Sequence, residues 1–496
     1  MPRFSIITLG CKVNQYDSNS VADLLVRQGW ELSQPDEPSD LMVVNTCCIT
    51  RTAMRKSRQA LAKAHRRWPE AALVIIGCYS DYDGRRISEM LARMGVRPGQ
   101  ALIAGHHQDL PALIDNFVTL VSGQISADPS STRPGSVGSE PARRTDFFSD
   151  CSAMPDPQSV KARRLQAIKQ PATTGNTLRH IDKFLGRQRA FVKVQDGCDA
   201  FCTYCIVPYT RCRVWSKSIE EVVSECRTLV AAGHLEIVLS GVFLGAFGRQ
   251  STVRRRWPED SPAQLPELVA RVAEIEGLWR IRLSSLEPGD MTDELLDVCR
   301  NVGNVAPHFH LPLQSGSAKV LARMNRQYGP RQYKDAISRL KAAIDRPAIT
   351  TDIIVGFPGA ENRDFAETLA MAQWAGFAKI HAFAFSPIEP AQAFYWQSQC
   401  PPAEVVKERM ALLGKLESEL ASKFRRQFVG QTVEALVERQ SADADKHLAM
   451  TDRYFRVAFS PGPATKDDLT GKIVKLRIDR ATGSLVEGTI AATAAT

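Results

Sequence analysis

The sequence predicts an α/β protein in three folded parts: an N-terminal parallel-sheet α/β domain, a central partial (β/α)6 barrel and a C-terminal small β-barrel. Short apolar runs alternate with helical stretches over residues 1–122, and the same alternation returns six times within 187–426. From 427 to 496 only strand-type runs remain, separated by polar turns. Alternation of strand and helix implies parallel sheets with helices packed on them. Successive strands joined by turns imply a small closed barrel.

In the first part, strands are expected at 4–9, 41–44 and 73–76, with helices at 18–28 and 53–67. Each strand run is followed by a cysteine: Gly10-Cys11, Asn45-Thr46-Cys47 and Gly77-Cys78. In a doubly wound sheet the carboxyl ends of parallel strands share one edge, where ligands bind, so Cys11, Cys47 and Cys78 are expected to converge as a three-thiol metal site. The bland alternative is three buried cysteines that merely pack as small hydrophobes.

Residues 123–186 are rich in Ser, Pro, Thr and Arg, most clearly at Ser130-Ser131-Thr132-Arg133-Pro134-Gly135. This is the composition of a tether. Its basic residues, among them Arg143, Arg144, Lys161, Arg163 and Arg164, read either as a solvated face or as contacts to a phosphate backbone.

The central part has expected strands at 190–195, 236–240, 279–284, 309–313, 349–355 and 379–385, and helices that include 219–232, 265–276, 364–375 and 404–426. Directly after its first strand comes Gly197-Cys198-Asp199-Ala200-Phe201-Cys202-Thr203-Tyr204-Cys205, with three thiols inside eight positions. Thiolates select iron–sulfur clusters or zinc, and a cubane cluster held at three corners keeps one iron open for chemistry. Zinc, the other reading, normally takes a fourth protein ligand, for which only Cys212 is near in sequence.

Chemistry in such barrels gathers at the carboxyl ends of the strands. Polar or glycine-rich groups stand there: Ser240-Gly241, Ser284-Ser285-Leu286-Glu287-Pro288, Pro312-Leu313-Gln314-Ser315-Gly316-Ser317 and Val355-Gly356-Phe357-Pro358-Gly359. The candidate cofactor-binding residues are therefore Tyr204, Gly241, Ser285, Glu287, Gln314, Ser315, Val355 and Gly356, with Glu287 suited to a ribose diol. Each motif taken alone is equally an ordinary turn. The last part, with strands expected at 432–437, 454–459 and 473–478, is either an oligonucleotide-binding barrel or a structural cap.

Composition narrows the class. No apolar run reaches the 18 or so residues of a membrane span, and no cleavable leader pattern follows the apolar start. Twelve cysteines in 496 residues are too sparse for a disulfide scaffold, so a reducing compartment, the cytoplasm, is expected. Cys48, Cys151, Cys226, Cys299 and Cys400 fall in neither triad and read as structural. A net charge of +9 points weakly to a polyanionic partner.

With both triads in view, the chain resembles the radical S-adenosylmethionine (SAM) methylthiotransferases along most of its length. Thr8-Leu9-Gly10-Cys11-Lys12-Val13-Asn14-Gln15-Tyr16-Asp17-Ser18 is similar to the opening of the subgroup that modifies N6-threonylcarbamoyladenosine at tRNA position 37, and Asn45-Thr46-Cys47 and Gly77-Cys78-Tyr79 match the other N-terminal ligands. The terminal barrel is similar to a TRAM domain, which implies RNA contact. The resemblance implies two [4Fe-4S] clusters and SAM. One cluster, on Cys198, Cys202 and Cys205, would cleave SAM to a 5′-deoxyadenosyl radical, with Tyr204 near the adenine. The second, on Cys11, Cys47 and Cys78, would carry the sulfur that is methylated and inserted at C2 of the adenine. It further implies tRNA as partner, a reductant such as flavodoxin or ferredoxin, and a sulfur donor that the resemblance does not name.

The chain departs from the family pattern at Cys212, at Trp215-Ser216-Lys217, at Phe243, at Phe385-Ser386-Pro387-Ile388-Glu389-Pro390 and in its long linker. Isopentenyladenosine in tRNA and an aspartate of a ribosomal protein are alternative substrates within the family. Outside it stand a two-cluster electron carrier and an RNA-binding module with structural metal.

Overall fold

A computed structural model of the chain describes residues 1–34, 37–106, 108–126, 180–257, 263–440, 446–461, 469–482 and 485–491. The chain divides into two compact units, Met1–Arg179 with Tyr209–Arg213, and His180–Pro208 with Val214–Thr496. Most of the expected tether, including Arg143, Arg144, Lys161, Arg163, Arg164 and Cys151, lies outside the described residues. At its two ends the described structure is more ordered than composition suggested: a helix runs through Leu110–Ser126, and Ile181 and Phe184 are buried.

The first unit is built on a five-stranded parallel sheet, β1 (Arg3–Thr8), β2 (Glu31–Leu32), β3 (Leu41–Thr46), β4 (Ala72–Gly77) and β5 (Ala101–Ile103), in the order β2-β1-β3-β4-β5. Every residue of β3 and β4 is buried, which explains why their sequences are continuous apolar runs rather than alternating ones: helices cover both faces. The three expected strands are all present. The two added edge strands, two and three residues long, are too short to leave a pattern.

In the second unit six parallel strands follow one another in chain order: β6 (Arg189–Asp196), β8 (Glu236–Gly241), β9 (Arg280–Leu283), β10 (His308–His310), β11 (Ala348–Val355) and β12 (Lys379–Ala384). An antiparallel edge strand, β7 (Trp215–Ser216), borders β6. The first group, β7-β6-β8-β9, and the second, β10-β11-β12, are separate sheets joined by single bridges, Ile281 to Val305 and Ser285 to His310. The expected barrel is thus present, but with an interrupted ladder between its third and fourth strands. Its helices include Ile219–Ala231, Gln264–Ala273, Asn362–Ala375 and Ala403–Arg426, within a few residues of expectation.

The terminal strands β13 (Thr432–Gln440), β14 (His447–Thr451), β15 (Arg456–Phe459), β16 (Ile473–Ala481) and β17 (Val486–Ile490) close into a barrel in the order β13-β14-β15-β17-β16. It belongs to the same compact unit as the six strands, and charge holds the two together. At the amino ends of the central strands, buried Glu236 accepts from Arg280 Nε at 2.7 Å and Arg282 Nε at 2.9 Å. The same arginines donate onward to the carbonyls of Met450, Thr451 and Asp452, and Arg189 pairs with Glu438 at 2.7 Å. Burial alone would raise the Glu236 carboxyl, but Arg282, Arg280 and Arg189 outweigh it and hold it at about 2.

Candidate functional site

Cys11, Cys47 and Cys78 stand at the ends of β1, β3 and β4, three adjacent strands. Neighbouring strands lie about 5 Å apart, so sheet order alone brings the thiols together. The order β2-β1-β3 makes the β1/β3 gap the point where the chain reverses direction across the sheet, a place where such folds bind ligands. Cys11 precedes the helix Lys12–Arg27 and Cys78 begins the helix Cys78–Arg93, so both thiols sit at helix amino termini that favour negative charge. Gly77 has φ 98°, and a Cβ there would fall 2.3 Å from Asn45 Oδ1 and 2.4 Å from the Thr46 carbonyl; only glycine lets β4 turn into its helix at this distance.

Asn14 organises the same edge. Its amide donates to the carbonyls of Leu9 and Thr46, and the Asn45 amide donates to the Asn14 carbonyl at 2.8 Å. Arg211, from the Tyr209–Arg213 segment of this unit, is buried here. Its Nε lies 3.5 Å from Cys78 Sγ, and its Nη2 donates to Asn14 Oδ1 at 3.1 Å and pairs with Asp17 at 2.7 Å. His106 lies between Asp17 and Asp81. Burial and Arg211 oppose its protonation, but the two carboxylates prevail and hold the ring at about 10. Neither Arg211 nor His106 was singled out from sequence, because nothing local marks them.

The second triad is a single loop after β6. Cys198 Sγ lies 3.4 Å from Thr252 Oγ1, and Thr252 is tied back to Asp199. Residues 323–326 staple the loop from the other side: Thr203 bonds the carbonyls of Arg323 and Met324, Asn325 donates to those of Ala200 and Phe201, and Arg326 Nη1 donates to Cys202 Sγ at 3.1 Å and to the Tyr204 hydroxyl at 3.2 Å. Arg326 also pairs with Glu287, whose second oxygen, Oε2, is buried with Arg254 Nε 3.7 Å away and has no closer hydrogen-bond donor among the described residues.

The thiols of each triad are close enough to act on one another. Burial, with Cys78 and Cys11 adding to it, pushes the Cys47 thiol up to about 12. Burial and then Cys202 do the same to Cys198, and Cys205 is raised by burial, Cys202 and Cys198. Yet among the described residues no three His, Cys, Asp or Glu close on the position of one metal ion. A guanidinium on a thiol in each triad suits an anionic cluster, and the Glu287 carboxylate, held by Arg326 and Arg254, stands beside the loop triad.

The remaining candidates divide. Gly241 ends β8 and its amide lies 3.3 Å from Ser284 Oγ, Ser285 bridges to His310, and Gln314, at φ 62°, pairs with β11 through Asp352 and Ile354. Ser315 spends its hydroxyl inside the fold, toward Thr368 and the Ser317 amide. Val355 is buried on the opposite face of β11 from Asp352 and Ile354, with its carbonyl accepting from the Phe385 amide at 2.8 Å, and Gly356 lies against Val406. Among the departures, Phe243 is buried with Arg254 over its ring, and Phe385 packs on Phe357. None of the described helices is long and apolar enough to cross a membrane.

Known proteins match this arrangement in both halves. The Radical SAM superfamily matches residues 192–372, and the uncharacterized protein family UPF0004 matches 3–96. A protein of Chlamydia pneumoniae named threonylcarbamoyladenosine tRNA methylthiotransferase MtaB is 31% identical over 480 residues, covering 96% of this chain and 95% of its own. The chain belongs to the radical SAM tRNA methylthiotransferases. The protein of the same name from Bacillus subtilis is 31% identical over 96% of this chain and 93% of its own. A tRNA-2-methylthio-N(6)-dimethylallyladenosine synthase of Moorella thermoacetica is 30% identical over 98% and 97%. This methylthiotransferase is therefore an enzyme that uses SAM and a [4Fe-4S] cluster and acts on tRNA.

Proposed function

We propose that the chain converts N6-threonylcarbamoyladenosine at position 37 of tRNA to its 2-methylthio derivative in the cytoplasm. The observation that carries this reading is the match, over 96% of the chain, to two relatives named for threonylcarbamoyladenosine. The dimethylallyladenosine reading has a relative of similar identity behind it and is the second candidate.

Cys198, Cys202 and Cys205 would hold one [4Fe-4S] cluster, and Cys11, Cys47 and Cys78 a second. When bound, the first with SAM supplies a radical strong enough to take the unreactive C2 hydrogen, and the second supplies sulfur. The chain's own residues do the rest. Arg326 donates to the Cys202 thiolate and holds Glu287, whose Oε2, with Arg254 Nε 3.7 Å away, would accept from a ribose hydroxyl. Gly241 and Ser285 stand at strand ends, Gln314, whose backbone is bonded into β11, has its side chain left for a ligand, and Tyr204, fixed by Arg326, gives a ring face beside the loop. Arg211 donates to Cys78 and fixes Asn14, which orders the turns that carry Cys11 and Cys47. In the reading proposed here the domains are 1–122, 187–426 and 427–496, the last contacting RNA, with flavodoxin or ferredoxin as reductant.

Nucleoside analysis of tRNA from a strain lacking the gene tests the substrate. Loss of 2-methylthio-N6-threonylcarbamoyladenosine is expected; an unchanged level, with loss of the isopentenyl counterpart, would move the assignment to the second candidate.

A further inference from the structure

The inner faces of β10, β11 and β12 carry polar groups that none of the roles above uses. Paired residues of neighbouring strands share a face, and residues two apart along a strand do too. His310 pairs with Thr350, Asp352 with His381 and Ile354 with Phe383, so these six side chains lie on one face in three layers. The alternate residues of β11, Ile349, Thr351, Ile353 and Val355, are buried on the other.

The face is closed at the amino ends of its strands and meets the cysteine loop at their carboxyl ends. At the amino ends of the strands Tyr454, from the terminal barrel, stacks on His308 at 4.3 Å, with Arg282 and Arg189 over its ring at 5.1 and 5.6 Å. At the carboxyl ends Ile354 joins the apolar cluster that includes Tyr204 of the cysteine loop. Between them His310 Nε2 lies 3.3 Å from Asp352 Oδ2, its Nδ1 lies 3.0 Å from Thr350 Oγ1, and its ring centre is 6.0 Å from that of His381. Neither ring nitrogen of His381 has a hydrogen bond among the described residues. Burial lowers its protonation, so the ring keeps both a donor and an acceptor near neutral pH. Phe383, one layer higher, is 44% exposed.

We propose that Asp352, His310, His381 and Phe383 form the seat of the substrate's purine base, with Phe383 against a ring face and Asp352 and His381 on its polar edge. The chemistry is that of a flat heterocycle with donors and acceptors on its rim: an aromatic face to stack on, a carboxylate to accept an exocyclic N–H and a neutral imidazole for a ring nitrogen. One layer of strand, about 7 Å, separates Asp352 from Ile354 beside the cysteine loop, so a base seated there stays within reach of that loop. Tyr454 sets the depth at which it stops. This rests on the reading that the substrate is an RNA purine, and it holds whatever group the exocyclic amine carries.

The test uses reconstituted full-length protein with an anticodon stem–loop RNA that the wild type methylthiolates, comparing Asp352→Asn, His381→Ala and Phe383→Ala. The ratio of methylthiolated RNA to 5′-deoxyadenosine is expected to fall about tenfold or more in each, the cost of one charged hydrogen bond or one stacking contact. Iron content and 5′-deoxyadenosine formed without RNA are expected to stay at wild-type levels, which a merely structural role would not allow, and His381→Gln should restore part of the ratio. An unchanged ratio in Asp352→Asn and His381→Ala overturns the seat. A wild type that modifies a protein aspartate and no RNA overturns the functional reading instead, and does so before any variant is compared.

Discussion

Cys198, Cys202 and Cys205 come from one loop of eight residues, whereas Cys11, Cys47 and Cys78 come from three strands separated in each case by more than thirty residues. Despite this difference both triads have a buried or nearly buried arginine on one thiol, Arg326 on Cys202 and Arg211 on Cys78, and each arginine is anchored by a carboxylate, Glu287 or Asp17. The supports differ in kind. The loop triad is shaped by hydrogen bonds from residues 323–326, and the strand triad by sheet order and by the turns at Gly10 and Gly77. The local motif is shaped by side chains from one distant segment; the dispersed one is brought together by strands that end side by side and is then fixed by Asn14 and Arg211.

The sharpest way to break this comparison is to remove one ligand from each triad. Cys202→Ala is expected to abolish 5′-deoxyadenosine formation in a reduced, anaerobic assay, whereas Cys47→Ala should retain it and lose the methylthio product. Each should bind about four irons instead of about eight. Equal loss of 5′-deoxyadenosine in both would show that the triads do not have separate roles.

Next in size is a substitution remote from either triad. Glu236→Gln leaves three arginines around a neutral amide and is expected to cost about 3–5 kcal/mol in denaturant unfolding. In the wild type the folded-state pKa of Glu236 lies below its ordinary value of 4.5, at about 2. Its contribution is therefore complete above about pH 4.5 and is lost as pH falls toward 2, so the variant should show a smaller drop in stability across that window.

Arg326→Met and Arg211→Met test the shared arginine. Each should lower retained iron at its own triad and leave the other unchanged, measured by iron content in a background where the other triad is intact or replaced by alanine. Gly77→Ala should act on the strand triad alone, with strain of about 1–3 kcal/mol from the positive φ and the close Asn45 and Thr46 atoms. The smallest effect is expected from Cys299→Ser, which lies outside both triads: iron content should match the wild type.

The elements that were legible in the sequence are those whose signal is local. The six central strands show as apolar runs, and the four helices Ile219–Ala231, Gln264–Ala273, Asn362–Ala375 and Ala403–Arg426 show by composition. The short β2, β5 and β7 were not legible, nor were β14 and β17, where the run His447–Thr451 and the run Val486–Ile490 are interrupted by polar or small residues. In the site, Arg211, His106, Thr252 and Arg326 carry no mark in sequence, since an arginine that meets a thiol more than a hundred residues away looks like any surface arginine.

By itself the sequence determined the thiol count, the strand-end position of every cysteine ligand candidate and the order of βα units, because these depend on side-chain chemistry and local period. Tertiary structure alone decided that β1, β3 and β4 are neighbours, that Arg211 and Arg326 reach the thiols, and that Tyr454 and the Glu236 arginine network close the amino end of the six-strand barrel. Those are contacts between distant segments, and they follow from how buried charge and chain direction are satisfied in three dimensions rather than from any residue's neighbours in the chain.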